Sequence, residues 1–299
     1  SLSSLPRALQ HLNLFEPTGP LADANRGLLE FSDLLKRPVD AFKYLLGTIE
    51  TNTVSMDSFL MHLDMVLIAS TNETYLDAFK KHPDFPSFKG RIELIKVPYL
   101  RRLSDERAIY ESQITPQIVG KHIAPHAIKV AALWAVFTRM RKARSDRYTD
   151  EIKDVVESLS PSEKMALYES GAMPERLTTR QSAELKHILP ELYEETLNSP
   201  LYEGRFGASA REIRAALLNA AHHPNYTYLS AIAVLEEIQD ILEHTTVFEY
   251  LQQTKDAGYY DHHLFLQHTQ SAYLDWIEDE IRDSMGLARE TSYAEIFKT

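Results

Sequence analysis

Met65-Val-Leu-Ile-Ala-Ser-Thr-Asn72 is a short apolar run that ends abruptly on three polar residues. It is too short for a surface helix and lacks the alternation of a half-buried strand. The run predicts a parallel strand buried on both faces, within an α/β layer. Downstream, a helix is expected over 73–81, then a proline-broken segment over 82–90. A second strand is expected over 92–97, stopped by Pro98. Upstream, Pro38 starts a helix with Phe42, Leu45, Leu46 and Ile49 at helical spacing. Residues 51–56 read as a turn or hairpin tip, and residues 5–25 as a polar lead-in with a short helix at 6–12.

After Leu103 the character changes. Ser104-Asp-Glu-Arg107 is a good helix start, with carboxylates in the first turn. Helices are expected over 104–114, 124–143, 149–157, 161–170, 180–197, 209–222, 230–243, 246–254 and 261–285. The expected fold class is therefore α/β followed by mainly α. The compositional shift near residue 115 marks the expected domain boundary.

The 299 residues are 44% hydrophobic and 25% charged, ordinary for a soluble globular chain. No apolar run approaches the ~20 residues that span a bilayer, so no membrane role is expected. Zero cysteines exclude disulfides and thiolate chemistry and fit a reducing cytoplasm. A formal charge of −11 argues against nucleic acid as a general partner. The basic clusters Arg101-Arg102 and Arg139 to Arg147 read as solvated helix ends.

Four positions carry candidate chemistry. Asn72 ends a strand of the kind whose carboxyl edge meets nucleotide phosphates, and it is equally able to cap the helix that follows. Arg91, just before an expected strand, is placed to reach across a subunit boundary; the plainer reading pairs it with Glu93 or Asp84. Lys80, Lys81 and Lys89 are rival cations. Arg211 lies in the first turn of a helix capped by Ser209 and Glu212, against the helix dipole. Asp33 follows the apolar run after Gly27, with Ser32 before it and Glu30 as a competing carboxylate. The histidines of 122/126, 222/223 and 262/263/268 lack metal-ligand spacing and read as surface or capping residues. The aromatic stretch from Tyr259 to Ile277 reads as helix packing.

Several segments together resemble the PrkA serine protein kinase family, in which an AAA+ domain precedes a helical PrkA carboxy-terminal domain. They are Ala24-Asn-Arg-Gly-Leu-Leu-Glu-Phe-Ser-Asp-Leu-Leu-Lys36, Ala69-Ser-Thr-Asn-Glu-Thr74, Arg91-Ile-Glu-Leu-Ile-Lys-Val-Pro-Tyr99, Glu106-Arg-Ala-Ile-Tyr110 and His122-Ile-Ala-Pro-His-Ala-Ile-Lys-Val-Ala-Ala132. The resemblance implies the C-terminal half of an AAA+ core over 1–115, a helical lid over 116–244 and the start of the PrkA domain over 245–299. It implies ATP and Mg2+ as cofactors of the intact protein, protein substrates and a homo-oligomeric ring. It makes Asn72 sensor 1, Arg211 sensor 2 and Arg91 an arginine finger. Asp33 aligns with the catalytic glutamate, and Ser32 with the metal-holding aspartate, which weakens the metal site to contacts through water.

The phosphate loop Gly-x-x-x-x-Gly-Lys-Ser/Thr is absent: Gly120-Lys121 has Thr115 where the first glycine belongs. The family's loop is expected before residue 1, leaving this chain catalytically silent alone. No His-Arg-Asp or Asp-Phe-Gly kinase signature occurs. The alternatives are a helical protein-interaction module on a residual α/β scaffold, a MoxR-like chaperone and an AAA+ transcription activator.

Overall fold

The computed structural model describes residues 17–56, 59–194 and 202–286. The helix expected at 6–12 lies outside the described residues. The chain forms two compact units, Ser1–Ile95 and Lys96–Thr299. Helices of two turns or more are numbered α1–α10 below.

In the first unit, β1 (Leu28–Phe31) pairs in parallel with β4 (Val66–Ala69), Leu28 opposite Val66 and Phe31 opposite Ala69. Between them, β2 (Thr53–Met56) and β3 (Phe59–His62) form an antiparallel hairpin, so residues 53–56 are a strand rather than its tip. The helix started by Pro38 comes in two pieces, Val39–Phe42 and α1 (Tyr44–Thr51). Phe42 and Leu45 are buried, as their spacing predicts. They pack with Phe79 of α2 (Glu73–Lys80) and with Phe88, whose ring meets Phe79 edge-on at 5.1 Å.

Two expectations for this unit need correction. β4 is parallel but not buried: Val66 is 60% and Ile68 49% exposed. Val66 and Ile68 share one face of β4, and that face is left uncovered, whereas Leu67 on the other face packs into the core of this unit. Residues 92–97 form no strand, and Ile95 and Val97 are 77% and 82% exposed. Apolar content marks a segment that favours a sheet, but a strand exists only when another chain supplies its hydrogen bonds.

The second unit begins at Lys96, upstream of the compositional shift near residue 115. It contains α3 (Leu103–Gln113), α4 (Ala127–Arg139), α5 (Asp150–Glu157), α6 (Pro161–Ser170) and α7 (Thr179–Glu194). It continues with α8 (Ala210–His222), α9 (Ala231–Glu243) and α10 (His262–Ser284). Every residue of α4 except Lys129 is buried. A helix apolar all round belongs at a core's centre, and α3, α8, α9 and α10 all pack against α4. It is shorter than the expected 124–143, because His126 sits at φ 64°, outside helical space, and Met140 is extended. Residues 246–254 make only a 3₁₀ turn at Glu249–Gln252. The other expected helices are present to within about two residues, apart from the end of 180–197, which lies outside the described residues.

The basic clusters are a further correction, since Arg101 and Arg139 are buried. Arg139 holds Glu106 through two bonds of 2.6 Å, with both side chains 1% exposed. Its remaining N–H groups donate to the carbonyls of Leu100 (2.9 Å) and Ala208 (2.7 and 3.0 Å). The Tyr110 hydroxyl also donates to Glu106, and burial beside that carboxylate raises the phenol's pKa. A second buried carboxylate, Glu203, accepts from Lys164 (2.7 Å), Tyr168 (2.9 Å), the Arg141 backbone (2.8 Å) and Arg101 (3.4 Å). Arg101 also lies over the Tyr193 ring at 3.8 Å.

Removing one member of a buried ion pair strands the other charge, at a cost of about 3–5 kcal/mol. Arg139→Met is therefore expected to lower unfolding free energy in urea by about that amount. Arg139→Met with Glu106→Gln should lose less than the sum of the single changes; strict additivity would contradict the pairing.

His262 is buried, donates from Nε2 to the Tyr250 carbonyl (2.9 Å), and burial pushes its pKa down to about 4. Below about 6.5 the unfolded chain takes up this proton while the folded chain refuses it. Stability from this group is complete above about pH 6.5 and falls by about 1.4 kcal/mol per unit as pH drops towards 4. Denaturation curves at successive pH values should show that slope, reduced in His262→Gln.

Candidate phosphate-facing site

β1 and β4 run in parallel and end side by side, so the loops leaving them share one edge of the sheet. Ser70 staples these loops together. Its N–H donates to the Phe31 carbonyl (2.9 Å), and its carbonyl accepts from the Leu34 N–H (3.0 Å). Its hydroxyl accepts from the Asp33 N–H (3.2 Å). Asp33 itself is left-handed, at φ 53° and ψ 44°, which turns the chain sharply out of the sheet. Ser32, directly after β1, donates its hydroxyl to Glu30 Oε1 (3.1 Å). Asp33 Oδ2 meets Lys36 Nζ at 2.6 Å in an exposed pair.

Asn72 is exposed and caps α2, its Oδ1 accepting from the Tyr75 N–H at 3.0 Å. Capping and phosphate contact are compatible: the cap uses the oxygen, and the amide nitrogen stays available for an acceptor. The edge thus gathers Ser32, Asp33 and Asn72, three of the sequence-predicted residues, around Ser70. Glu30 and Asp33 carboxylates and the Ser32 hydroxyl are hard oxygen donors of the kind magnesium takes alongside water and phosphate.

Arg91 is engaged within its own unit. Its Nη2 pairs with Glu50 of α1 at 2.8 Å and its Nη1 donates to the Ser87 carbonyl at 2.8 Å. Neither Glu93 nor Asp84 is its partner; Asp84 pairs with Lys43 at 3.1 Å. Any role towards a neighbouring subunit requires this guanidinium to leave Glu50.

Arg211 lies in the second unit, exposed in the first turn of α8. Ser209 and Glu212 form a reciprocal capping box there, and Ile213, Ala216, Leu217 and Ala220 are buried beneath, as their spacing predicts. Among the described residues, no hydrogen bond or ion pair holds the Arg211 side chain. The preceding loop is bolted to α4, where Thr138 Oγ1 accepts from the Ala208 N–H at 2.9 Å. Gly207 has φ 135°, and a Cβ there would fall 2.5 Å from Arg139 Cγ. Glycine is needed at this position for close approach as well as for backbone angle.

A cleft of about 250 Å³ on the helical unit, bordered by Arg139, Arg141, Phe206, Gln253, Thr254 and Tyr260, contains none of these site residues. Sequence reasoning missed Ser70 as the staple, although its position directly after the strand was the available signal. It also missed the burial of Arg139, which its place at the end of the apolar run Val130–Phe137 could have indicated.

Two family models match the chain: the PrkA AAA domain over residues 8–147 and the PrkA serine protein kinase C-terminal domain over residues 162–299. The chain belongs to the PrkA family. Among curated proteins it is 36% identical over 131 residues to the ATP-dependent protease PrkA of Bacillus subtilis (strain 168). That match covers 43% of this chain and 21% of the relative. It is 24% identical over 144 residues to the serine/threonine kinase YeaG of Escherichia coli (strain K12), covering 46% of this chain and 22% of that protein. The chain thus matches about a fifth of the length of these PrkA-family relatives. No helix among the described residues is long and apolar enough to cross a membrane.

The cap and the phosphate contact can be separated by substitution. Asn72→Ala should lower the unfolding free energy of the first unit by about 1 kcal/mol, whereas Asn72→Asp, which keeps a capping oxygen, should leave it nearly unchanged. Urea titration of both variants checks this. Equal losses in the two would deny the cap seen here.

Proposed function

We propose that this PrkA-family chain senses the terminal phosphate of ATP at a sheet edge and couples it to a helical lid, within an ATP-dependent regulator of protein targets. The observation that carries the reading is the shared carboxyl edge of β1 and β4, with Ser32, Asp33 and Asn72 on adjoining loops. In open parallel sheets, ligand phosphates lie at this edge. Asn72 offers an uncharged amide N–H to a phosphate oxygen or to water. Asp33, Ser32 and Glu30 would hold a magnesium ion, mostly through its water shell, and the ion neutralises phosphate charge when bound. Among the described residues the Asp33 carboxylate rests on Lys36, an exposed pair that contributes little and is readily exchanged.

Arg211, at the first turn of a rigidly capped lid helix, supplies a cation that closes onto the nucleotide. Arg91 serves the next subunit of a homo-oligomeric ring after exchanging Glu50 for phosphate. Protein serine phosphorylation is the activity that best joins the family with the kinase named among its relatives. The cysteine-free composition suits an ATP-rich, reducing cytoplasm.

A second reading, a helical protein-interaction module without nucleotide activity, is favoured by serine at position 32 and by the Arg91–Glu50 pair. ATP turnover by the complete product of the gene separates the two. Asn72→Asp, Arg91→Ala and Arg211→Ala should each lower turnover by about tenfold or more, with the fold retained. Turnover equal to wild type in all three variants would remove the sensor and finger roles, and no ATP turnover by the wild type would leave the second reading standing.

A further inference from the structure

The cleft of about 250 Å³ lies wholly within the second unit, where three stretches of chain meet. Arg141 comes from just past α4, Phe206 from the loop entering α8, and Gln253, Thr254 and Tyr260 from the loop entering α10. Its volume suits a small metabolite, below the usual range for sites that enclose drug-sized ligands. Two details of the wall are not explained by folding. Gln253 Oε1 is buried without a hydrogen-bond partner, and a buried acceptor left unpaired is destabilising. Tyr260 sits at φ 60°, a left-handed conformation that strains a bulky residue. The turn before it is tight: Asp256 and Tyr259 exchange both backbone hydrogen bonds (3.0 and 2.9 Å), with Ala257 and Gly258 at positive φ between them. Tyr259 is the tyrosine the core uses, buried with its hydroxyl donating to the Leu159 carbonyl at 2.8 Å. Tyr260 borders the cleft instead, and no hydrogen bond holds its hydroxyl among the described residues.

The charges around the cleft say what kind of ligand fits. Tyr202 and Gly204, which also border it, flank the buried Glu203. That one carboxylate answers two buried cations, Arg101 and Lys164, so the set behind the wall carries excess positive charge. Arg141 brings a further guanidinium to the cleft. Among the described residues no carboxylate borders it, and nearby Asp256 pairs with Lys142 at 3.6 Å. Burial raises the Tyr260 phenol to about 12 against the pull of Arg141, so its hydroxyl is a donor at neutral pH. Cations and hydroxyl donors together favour an anion, and the Gln253 oxygen asks for a donor on the same ligand. We propose that this cleft binds a small hydroxylated anion, a phosphate monoester or a carboxylate. Its anionic end meets Arg141, Tyr260 and Thr254, and its hydroxyl donates to Gln253 Oε1. The site is separate from the sheet edge of the first unit and does not rest on the nucleotide reading.

Calorimetric titration of the full chain tests this with two pairs of probes, each pair differing only in hydroxyl groups. Glycerol 3-phosphate is set against propyl phosphate, and malate against succinate; glycerol is the uncharged control. At least one hydroxylated anion should bind about tenfold or more tighter than its counterpart, because a site that pairs a ligand hydroxyl rejects the analogue lacking it. The pair that shows the preference assigns phosphate or carboxylate. Arg141→Gln and Tyr260→Phe should each weaken that probe about tenfold or more. Gln253→Leu should erase the preference for the hydroxyl while leaving the thermal melt of the free protein unchanged or higher, since it removes an unpaired acceptor. A purely structural glutamine would instead lower the melt and leave the preference intact, which overturns the proposal. Binding of neither hydroxylated anion, equal binding within both pairs, or binding that survives Arg141→Gln and Tyr260→Phe overturns it too. Displacement of the bound probe by ATP would give the cleft to nucleotide and overturn it likewise.

Discussion

A guanidinium enters a helical core only if its charge and all its donors are answered there. Arg139 meets that demand with a bidentate carboxylate and two backbone carbonyls, and each partner comes from a different part of the chain. Glu106 brings α3, Leu100 brings the segment entering it, and Ala208 brings the loop that starts α8. The pair therefore does more than cancel charge. It sets where three segments meet the central helix, and α8 begins where it does because Ala208 is held. Burying two ions is costly, so such a pair is weak evidence of added stability and better evidence of a specified arrangement. Glu203 does the same for Arg101, Lys164 and Tyr168.

The first unit is organised by backbone geometry instead. Parallel pairing of β1 with β4 forces both strands to end at the same edge, and Ser70 joins the departing loops through its N–H, carbonyl and hydroxyl. That is enough to gather hydroxyl, carboxylate and amide groups at one place without a deep pocket. The groups are exposed, and the Asp33 carboxylate rests on Lys36 in a solvent-exposed pair.

Much of this was legible beforehand, and for identifiable reasons. Capping residues mark helix starts locally, so Ser209 with Glu212 announced α8. The apolar spacing of Ile213, Ala216, Leu217 and Ala220 announced the buried face of α8. Asn72 was legible as either a cap or a phosphate contact, and the structure shows the cap while leaving the amide nitrogen for the second role. Residues 92–97 misled because β-branched, apolar composition states a preference, whereas pairing depends on a neighbouring strand. Arg101 and Arg139 misled because charge suggests solvent unless the partner, dozens of residues away, is known.

The sequence by itself determined the helix-rich second unit, the parallel character of β4, the capping box of α8 and the family to which the chain belongs. These follow from contacts within a few residues, or from residue order, which a linear text records. Only the tertiary structure decided that two arginines are core residues, that Ser70 joins the loops of the site, that Arg91 rests on Glu50, and that Arg141, Gln253 and Tyr260 border one cleft. Each of these depends on what lies opposite a side chain in space, and residues far apart in the chain become opposite one another only when it folds.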